Sequence, residues 1–411
     1  MLGNLAVNIW VVLISVLTIF FYRKNFFNTT YSLPDKILSF LFIYIFCVMI
    51  INLLEIKFLN KFNQINNDET IQYIIYKSIA YSRYLIFYLS IKFLIKNDII
   101  NFKLFFIICF ILTLFVSFDL FFQLTFNKDI FGLVPLHPRK LSGPFGQELI
   151  AGAFLQRFFL FFCPLIMIFY FYKKKHFLII FFITIILSAI LISGNRMPLL
   201  LSVLMLLIYF FYEKNIRKYL LVGFSIFLIF FSIAINKNEE IRDNFGSLKK
   251  AVTNMSINLF VQKIDRTQLP PHYFEFESFY NTWQINKFFG GSVRSFRIFC
   301  PIKKNTIENE RTTCNTHPHN YYLEIMTDLG LFGLIIISIF VSLILKNSYF
   351  YISKIKPKTK IFYLFLPFFI VFIAEVFPLK TSGSFFSTWN SSFIFLIFAC
   401  LNGLYEKNKT K

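Results

Sequence analysis

Apolar runs long enough to cross a lipid bilayer recur along this chain, and they constrain its fold more than any other feature. A membrane-spanning helix needs about 20 predominantly apolar residues, because the hydrocarbon core is about 30 Å thick. Eleven such runs lie at about residues 4–22, 37–54, 74–95, 103–126, 149–172, 177–194, 197–212, 219–236, 321–345, 361–378 and 387–404. Hydrophobic residues make up 57% of the chain, far more than in a soluble domain. The sequence therefore predicts an all-α polytopic membrane protein with about eleven transmembrane helices.

The distribution of Lys and Arg predicts how these helices are oriented. Basic residues are concentrated in alternate short loops, such as 173–175 and 346–360, and are sparse in the intervening short loops. Because loops rich in Lys and Arg remain in the cytoplasm, we expect the N-terminus outside and the C-terminus inside. The same distribution accounts for much of the net charge of +21, so this charge does not indicate a nucleic-acid partner.

One long hydrophilic stretch interrupts the apolar pattern. The sequence predicts an N-terminal bundle of eight spans at 1–236, a large outer loop at 237–320 and three C-terminal spans at 321–411. Long loops are uncommon unless they are functional. Aromatic residues recur within the loop at helical spacing, namely Phe276, Phe279, Tyr280, Trp283 and Phe288. We expect a helix over 276–288 whose aromatic stripe packs on the bundle or rests among lipid headgroups.

Two of the six cysteines, Cys300 and Cys314, lie in the outer loop. An oxidising exterior favours a disulfide between them, which would contribute roughly 3 kcal/mol on the chain-entropy model. The bridge would also anchor the segment just before His317. Together with His317 and His319 the two cysteines could nominally supply four zinc ligands, although two cysteines alone do not make a zinc site. We expect the disulfide and no metal.

The segment CNTHPHNYYLEIMTDLG at 314–330 places many protonatable groups at the outer mouth of the ninth span. Asn320 follows Pro318 and is expected to cap the helix, whose N-terminus carries partial positive charge. His317 and His319 add side chains that are cationic or neutral near physiological pH. Such a site suits an anion and proton transfer, whereas the competing interpretation is a capped helix with surface histidines.

Three arginines are predicted to lie near the same outer face. Arg196 is the single charge of the turn SGNRMPLL, Arg139 lies in HPRKLSGPFG, and Arg157 lies one turn into the following span. A guanidinium can hold a phosphate through two parallel hydrogen bonds, although Arg196 could instead reach lipid headgroups as an anchor. Asp119 and Gln123 add polar groups near the outer end of the fourth span, where such groups usually mark cavities or functional paths.

In chain order, the segments DLFFQ, RKLSGPFG, SGNR, FGGSVRSFRIFC and CNTHPHNYYLEIMTDLGLFG resemble the O-antigen ligase and polymerase superfamily. The similarity runs from about Asp119 to Gly333, and the His-Asn-Tyr-Tyr-Leu-Glu segment is its most specific element. The resemblance implies a GT-C-like bundle in the bacterial inner membrane. It also implies transfer of a glycan from an undecaprenyl-diphosphate carrier to an acceptor hydroxyl at the periplasmic face. The acceptor would be lipid A-core in a ligase and a growing glycan in a polymerase.

The resemblance further implies residues that would hold the diphosphate. Arg196 would contact it directly, and Arg139 and Arg157 are further candidates. Members of the superfamily often carry an arginine near the start of the helix in the outer loop. The corresponding stretch here leaves that position open between Arg266 and His272.

The catalytic residues implied by the resemblance are His319 and its neighbour His317. Asn320 and Glu324 are expected to support the start of the helix without contacting the substrate. Cleavage of a sugar–diphosphate bond builds negative charge on the leaving group, which fixed cations stabilise. A histidine could accept the proton of the acceptor hydroxyl. The outer face carries no Asp-x-Asp pair, which agrees with metal-independent chemistry and with no cofactor.

Two other functions are open. A transporter or flippase of lipid-linked oligosaccharide would place polar residues near mid-bilayer and show repeat symmetry, and the sequence shows neither. A structural membrane subunit would leave the cluster from His317 to Glu324 unexplained. The predicted partners are the lipid-linked donor, the glycan or lipid A-core acceptor and membrane lipids, not nucleic acid. The sequence does not separate a ligase from a polymerase and does not name the sugar.

Overall fold

A computed structural model of the chain describes residues 2–58, 67–137, 139–170, 175–246, 271–304 and 314–409. These residues form helices and turns without a β-strand. The helices are α1 (Leu2–Phe27), α2 (Leu33–Phe58), α3 (Asn67–Tyr81), α4 (Arg83–Lys96), α5 (Phe102–Phe126), α6 (Ala151–Phe158), α7 (Lys175–Ile192), α8 (Arg196–Tyr212), α9 (Arg217–Lys237), α10 (Pro271–Trp283), α11 (Phe296–Lys304), α12 (Tyr321–Lys354), α13 (Lys360–Glu375) and α14 (Thr388–Lys409). Irregular helical turns continue α6 as far as Tyr170.

The chain is an all-α polytopic membrane protein, as its hydropathy predicts. Each of the eleven predicted apolar runs overlaps helical residues. Within the described ranges, seven helical segments are long and apolar enough to cross a membrane, namely Gly3–Phe27, Leu33–Ile56, Asp68–Lys96, Phe102–Phe126, Ala151–Phe169, Lys214–Lys237 and Tyr321–Lys354. Two shorter apolar helices span Phe177–Ile192 and Arg196–Tyr212.

The helices group into two compact units. Unit 1 consists of Met1–Ile99, Pro270–Tyr351 and Glu375–Lys411, and unit 2 of Ile100–Leu269 and Ile352–Ala374. Each unit therefore combines helices that are distant in the chain. The division at residues 236 and 320, which follows chain order alone, stays a prediction.

A buried polar network links helices within unit 1. The Lys92 ammonium contacts the Asp35 carboxylate and lies 2.5 Å from Glu406 Oε1. Asp35 Oδ1 also accepts hydrogen bonds from Tyr88 Oη at 2.8 Å and from Asn402 Nδ2 at 3.0 Å. Buried charges are costly unless they are paired and hydrogen-bonded, so this network fixes the packing of α2, α4 and α14.

Phenylalanine packing dominates the interior of unit 2. The ring centroids of Phe106, Phe161 and Phe368 lie between 5.2 and 5.8 Å from one another. These side chains come from α5, from the turns after α6 and from α13. Aromatic pairs at such distances stabilise a core beyond the burial of their area.

Two polar side chains of α5 hold the loop that follows this helix. Asp119 Oδ1 accepts a hydrogen bond from the Ile130 amide at 2.7 Å, and Gln123 Oε1 accepts one from the Gly143 amide at 2.9 Å. The sequence suggested that Asp119 and Gln123 mark a cavity or functional path. Both side chains accept hydrogen bonds from backbone donors of the loop and thereby shape it, and a role in a cavity or path stays a prediction.

Helix α12 is broken at Gly330, where the sequence predicts an uninterrupted helix over 321–345. Gly330 has φ +67°, and a Cβ built there would lie 2.1 Å from the Phe288 carbonyl oxygen. Only glycine combines this backbone conformation with so close an approach. Beyond the break, the amides of Leu331 and Phe332 donate to the carbonyls of Lys287 and Phe288 at 2.9 and 3.2 Å.

The segment just after Phe289 pairs with the helix turn before the break. The amides of Gly291 and Ser292 donate to the carbonyls of Thr327 and Asp328 at 2.9 and 2.7 Å. A broken helix leaves backbone groups without helical partners, and each such group is costly in a membrane unless protein atoms satisfy it. The loop therefore replaces the hydrogen bonds that α12 loses at Gly330.

The predicted aromatic helix begins and ends about five residues earlier than expected and does not present one face. Helix α10 ends at Trp283, because the chain turns there toward α12. The Trp283 Nε1 donates a hydrogen bond to the Lys287 carbonyl at 3.0 Å within this turn. Phe279 is buried against Cys300, whereas Phe276 and Phe288 are more than half exposed. The inner part of the stripe packs on α11, and the rest faces outward.

Candidate functional site

A disulfide anchors the segment that carries the two candidate catalytic histidines. Cys300 and Cys314 are bonded, with their Cα atoms 5.7 Å apart, so α11 is tied to the residues just before α12. This is the pairing expected from the position of the two cysteines. Because both sulfurs are consumed, these cysteines cannot act as thiolate ligands, and the four-ligand zinc site with His317 and His319 is excluded.

His317 and His319 lie side by side in the turn before α12. Their ring centroids are 4.6 Å apart and their planes are inclined by 62°. The His319 carbonyl accepts a hydrogen bond from the Ser382 amide at 2.8 Å. The Thr316 hydroxyl lies 3.0 Å from His317 Nδ1. Backbone and side-chain contacts thus fix the orientation of both residues.

Glu275 of α10 lies beside His319. The distance from its Oε1 to His319 Nε2 is 3.6 Å. Asn315 Nδ2 donates to Glu275 Oε1 at 3.0 Å and lies 3.2 Å from His319 Nε2, so it bridges the two groups. A carboxylate at this distance can stabilise a histidine that gains a proton. The sequence did not point to Glu275, because 43 intervening positions separate it from His319.

His317 is held in its neutral form. Burial lowers its pKa to about 4, and electrostatic interactions with His319, Arg294 and Arg297 act in the same direction. A hydrogen bond involving Ser382 opposes this effect. His317 therefore carries no charge near pH 7, so the two histidines differ in their surroundings despite their short separation.

The thermal stability of the protein should therefore depend on His317 at mildly acidic pH. The unfolded chain binds a proton at a pKa near 6.5 that the folded chain does not take up until about pH 4. The free energy of unfolding is therefore not reduced by His317 above pH 6.5, and it falls progressively as the pH drops from 6.5 toward 4. Between pH 7 and 5, wild type should lose about 1 kcal/mol more than a His317→Asn variant, after allowance for solvent screening.

The measurement is the unfolding midpoint of the detergent-solubilised protein at each pH. His137→Asn, a change at an exposed histidine in unit 2, is the matched control and should retain the wild-type slope. Parallel pH profiles for wild type and His317→Asn would contradict a buried neutral His317.

Asn320 caps α12 and anchors its first turn. Its Oδ1 accepts hydrogen bonds from the amides of Tyr322 and Leu323 at 2.9 and 3.3 Å, as expected of an N-cap residue. Its Nδ2 donates to the carbonyls of Pro378 and Lys380 at 2.7 and 3.2 Å. The cap therefore also holds the segment between α13 and α14 against the start of α12.

Glu324, one turn after Asn320, is buried and held by two donors. Ser384 Oγ donates to its Oε1 at 2.6 Å, and the Phe385 amide donates to its Oε2 at 2.5 Å. Both donors lie just before α14. Glu324 therefore joins the start of α12 to this segment, which fits a supporting role rather than contact with a substrate.

Asp328, the next acidic residue of α12, organises the turn before α11. It is fully buried and accepts hydrogen bonds from the Arg294 amide at 2.6 Å, the Ser295 hydroxyl at 3.0 Å and the Phe296 amide at 3.2 Å. These contacts place Arg294 and Arg297 near His317, on whose imidazole both charges act. The sequence contains both arginines in GGSVRSFR but gives no sign that the turn brings them to the histidines.

In unit 2, the predicted diphosphate ligand Arg196 begins α8. Its Nε and Nη2 both donate to Asn244 Oδ1, at 3.0 and 2.8 Å. Asn244 Nδ2 in turn donates to the Gly194 carbonyl at 2.8 Å. This residue, which the sequence did not single out, thus fixes the guanidinium against the turn that carries it.

Arg139 and Arg157 lie close to the same turn of unit 2. A Cβ on Gly194 would lie 2.2 Å from the Arg139 carbonyl oxygen, so the two backbones are in contact. Gly152 packs equally closely on Ser193 Oγ, and Arg157 follows on the same helix, α6, with 3% of its surface exposed. The structure therefore brings Arg139 and Arg196 to one turn of unit 2, and Arg157 lies on the helix that packs against this turn.

The remaining predicted ligand, Arg266, lies outside the described residues, and the side chain of His272 is not described either. The arginines of unit 2 and the histidines of unit 1 belong to separate units. The expectation that Arg196 and His319 share one cavity stays a prediction.

Comparison with known proteins supports the resemblance found in the motifs. A family model described as O-antigen ligase matches residues 180–338, a range that includes the Arg196 turn, both histidines and the break in α12. No curated protein matches the chain. The match supports glycan transfer of the O-antigen ligase or polymerase type. The matched family is the one that the motifs of the sequence resemble.

Proposed function

We propose that the protein transfers a glycan from an undecaprenyl-diphosphate carrier to an acceptor hydroxyl at the periplasmic face of the bacterial inner membrane. The acceptor is lipid A-core for a ligase or a growing glycan for a polymerase. The observation that carries this proposal is the contact of His319 with Glu275 and Asn315 at the start of α12, inside the range that matches the O-antigen ligase family.

His319 serves as the general base in this proposal. Glu275 lies 3.6 Å from its Nε2 and stabilises the imidazolium that forms when the ring takes the proton of the acceptor hydroxyl. The acceptor oxygen then bonds to the sugar carbon as the bond from that carbon to the diphosphate oxygen breaks. The glycan leaves the carrier, and the carrier keeps its diphosphate.

Fixed cations stabilise the negative charge that develops on the leaving diphosphate. Arg196 is suited to this role, because Asn244 holds its guanidinium plane in one orientation. A planar guanidinium binds two phosphate oxygens in parallel, which a lysine ammonium does not. We infer that these arginines allow the transfer to proceed without a metal ion.

Arg196→Lys is expected to lower glycan transfer by about 10- to 100-fold while the protein accumulates normally. The substitution keeps the charge but removes the fork that binds both Asn244 and a phosphate. The measurement is the rate of transfer by membranes that contain equal amounts of each variant. Arg242→Lys, at an exposed arginine that pairs with Glu239, is the control. An Arg196→Lys enzyme with wild-type rate would make Arg196 an interface anchor.

Gel analysis of lipopolysaccharide from a strain lacking the protein tests the function itself. Polymer that stays on the carrier indicates a ligase, and core that bears a single repeat unit indicates a polymerase. Unchanged lipopolysaccharide would count against both. Purified protein that moves lipid-linked oligosaccharide across liposomes without joining it to an acceptor would instead show a flippase.

A further inference from the structure

Cations from two separate elements of unit 1 lie within electrostatic range of one another. The turn before α11 contacts α3 directly, since Ser78 Oγ and Ser292 Oγ are 2.9 Å apart. Lys77, the neighbour of Ser78, lies within electrostatic range of Arg294 and Arg297. Each of these cations therefore has like-charged neighbours, while the carboxylates of Glu324 and Asp328 also act on Arg294.

The backbone that carries Arg294 is strained and firmly held. Ser292 and Arg294 have φ values of +85° and +62°, and residues other than glycine seldom adopt this backbone conformation. Such conformations persist where the surroundings over-determine them, and they cluster at functional sites. Asp328 provides that constraint here by accepting hydrogen bonds from the backbone amides of Arg294 and Phe296.

The guanidinium groups retain hydrogen-bonding capacity. Across the described part of the chain, Arg294 Nε and Arg297 Nε are buried and make no hydrogen bond, while both side chains remain partly exposed as a whole. The Asp328 carboxylate accepts a hydrogen bond from the backbone amide of Arg294 and not from its side chain, so the side-chain Nε stays available. A buried donor without an acceptor is costly, so an oxygen-rich anion would remove this cost.

The surroundings of Lys77 are apolar, which suits the phosphate group of a lipid better than a free anion. A shallow, open depression of about 410 Å³ on the surface of α3 is lined by Gln72, Ile75, Tyr76, Ile79 and Ala80. Tyr76 and Ile79 are more than half exposed, on a helix apolar enough to cross a membrane. The Lys77 ammonium lies 5.0 Å from the centroid of the Tyr76 ring, at the margin of this apolar face.

We propose that Lys77, Arg294 and Arg297 form a binding site for the phosphate or diphosphate group of a membrane lipid, with the lipid chain lying along α3. The site adjoins His317, on which the charges of Arg294 and Arg297 act. The proposal rests on the proposed function in one respect, since a diphosphate lipid bound here would be the glycan donor or its spent carrier. A phospholipid headgroup offers the same chemistry and is the second source to be tested.

The test is lipid binding by the full chain in nanodiscs, with undecaprenyl diphosphate and phosphatidylglycerol as separate probes. The variant is Arg294→Asn with Arg297→Gln, because asparagine tolerates the left-handed conformation that Arg294 adopts. The affinity for undecaprenyl diphosphate should fall by about 10- to 100-fold. Arg23→Gln, at an exposed arginine of α1, is the matched control and should bind like wild type.

The two probes identify the source of the phosphate. A larger loss for undecaprenyl diphosphate assigns the site to the carrier, and an equal or larger loss for phosphatidylglycerol assigns it to bilayer headgroups. Wild-type affinity of the variant for both probes would overturn the proposal. Lys77→Gln, which leaves the strained turn unchanged, should reproduce the loss in part and serves if the double variant does not fold.

Transfer activity measured in parallel separates this inference from the proposed function. Wild-type protein that transfers glycan, together with a double variant that binds both lipids normally, would remove the site and leave the function. Loss of lipid binding in the double variant, together with a wild-type protein that transfers nothing, would remove the function and leave the site.

Discussion

His319→Ala is expected to lower glycan transfer by about 10²–10⁴-fold and to leave the protein folded. The imidazole is partly exposed and supplies little packing, so its loss should cost little stability. Without the imidazole, Glu275 and Asn315 have no base beside them that can take the proton of the acceptor hydroxyl. The measurement is transfer of glycan from purified carrier-linked donor, with the amount of folded protein determined for each variant.

His137→Ala is the matched control for this experiment, because His137 is an exposed histidine in a loop of unit 2. It should retain both activity and stability. A His319→Ala protein with wild-type activity would sink the proposed mechanism, while the similarity to the O-antigen ligase family would stand. A loss of folded protein in His319→Ala would instead show a structural role for this side chain.

Asp328→Ala is expected to destabilise the protein by about 3–5 kcal/mol. The substitution leaves the Arg294 amide, the Ser295 hydroxyl and the Phe296 amide without their buried acceptor. The turn before α11 should then detach from α12, and activity should fall with the folded population. The measurement is thermal unfolding in detergent together with the amount of protein that accumulates in membranes.

Asp68→Ala provides the control for this change, because Asp68 lies exposed on α3. Its unfolding midpoint should match wild type within experimental scatter, since exposed carboxylates contribute little. Asp328→Asn should lie between the two, because an amide oxygen can still accept from part of the donor set. Equal midpoints for Asp328→Ala and wild type would show that the turn before α11 is held by other contacts.

Sequence alone went furthest where the determining physics is local. Hydropathy located the membrane helices, because a span must be apolar over its own length whatever its neighbours are. Asn320 was predicted as an N-cap from the residues beside it, and the structure shows it capping α12. The pairing of Cys300 with Cys314 needed only the fact that the loop contains no other cysteine.

The parts of the candidate site that the sequence missed depend on contacts between distant segments. Helix α10 brings Glu275 to His319, and the turn before α11 brings Arg294 and Arg297 to His317. The segment after α9 brings Asn244 to Arg196. No local pattern predicts such contacts. Each residue, taken within its own segment, looks like a solvated polar side chain.

The break in α12 shows where tertiary structure overrode a local preference. Residues 321–345 have the composition of one continuous span, and by themselves they would form one. The loop at 287–292 supplies the donors and acceptors that the broken helix needs, and Gly330 allows the loop to approach its backbone. The sequence by itself determined that a membrane helix starts just after Asn320, its N-cap. Only the packing of that loop decided that the helix breaks at Gly330, because a broken span is stable in a membrane solely when another segment satisfies its backbone.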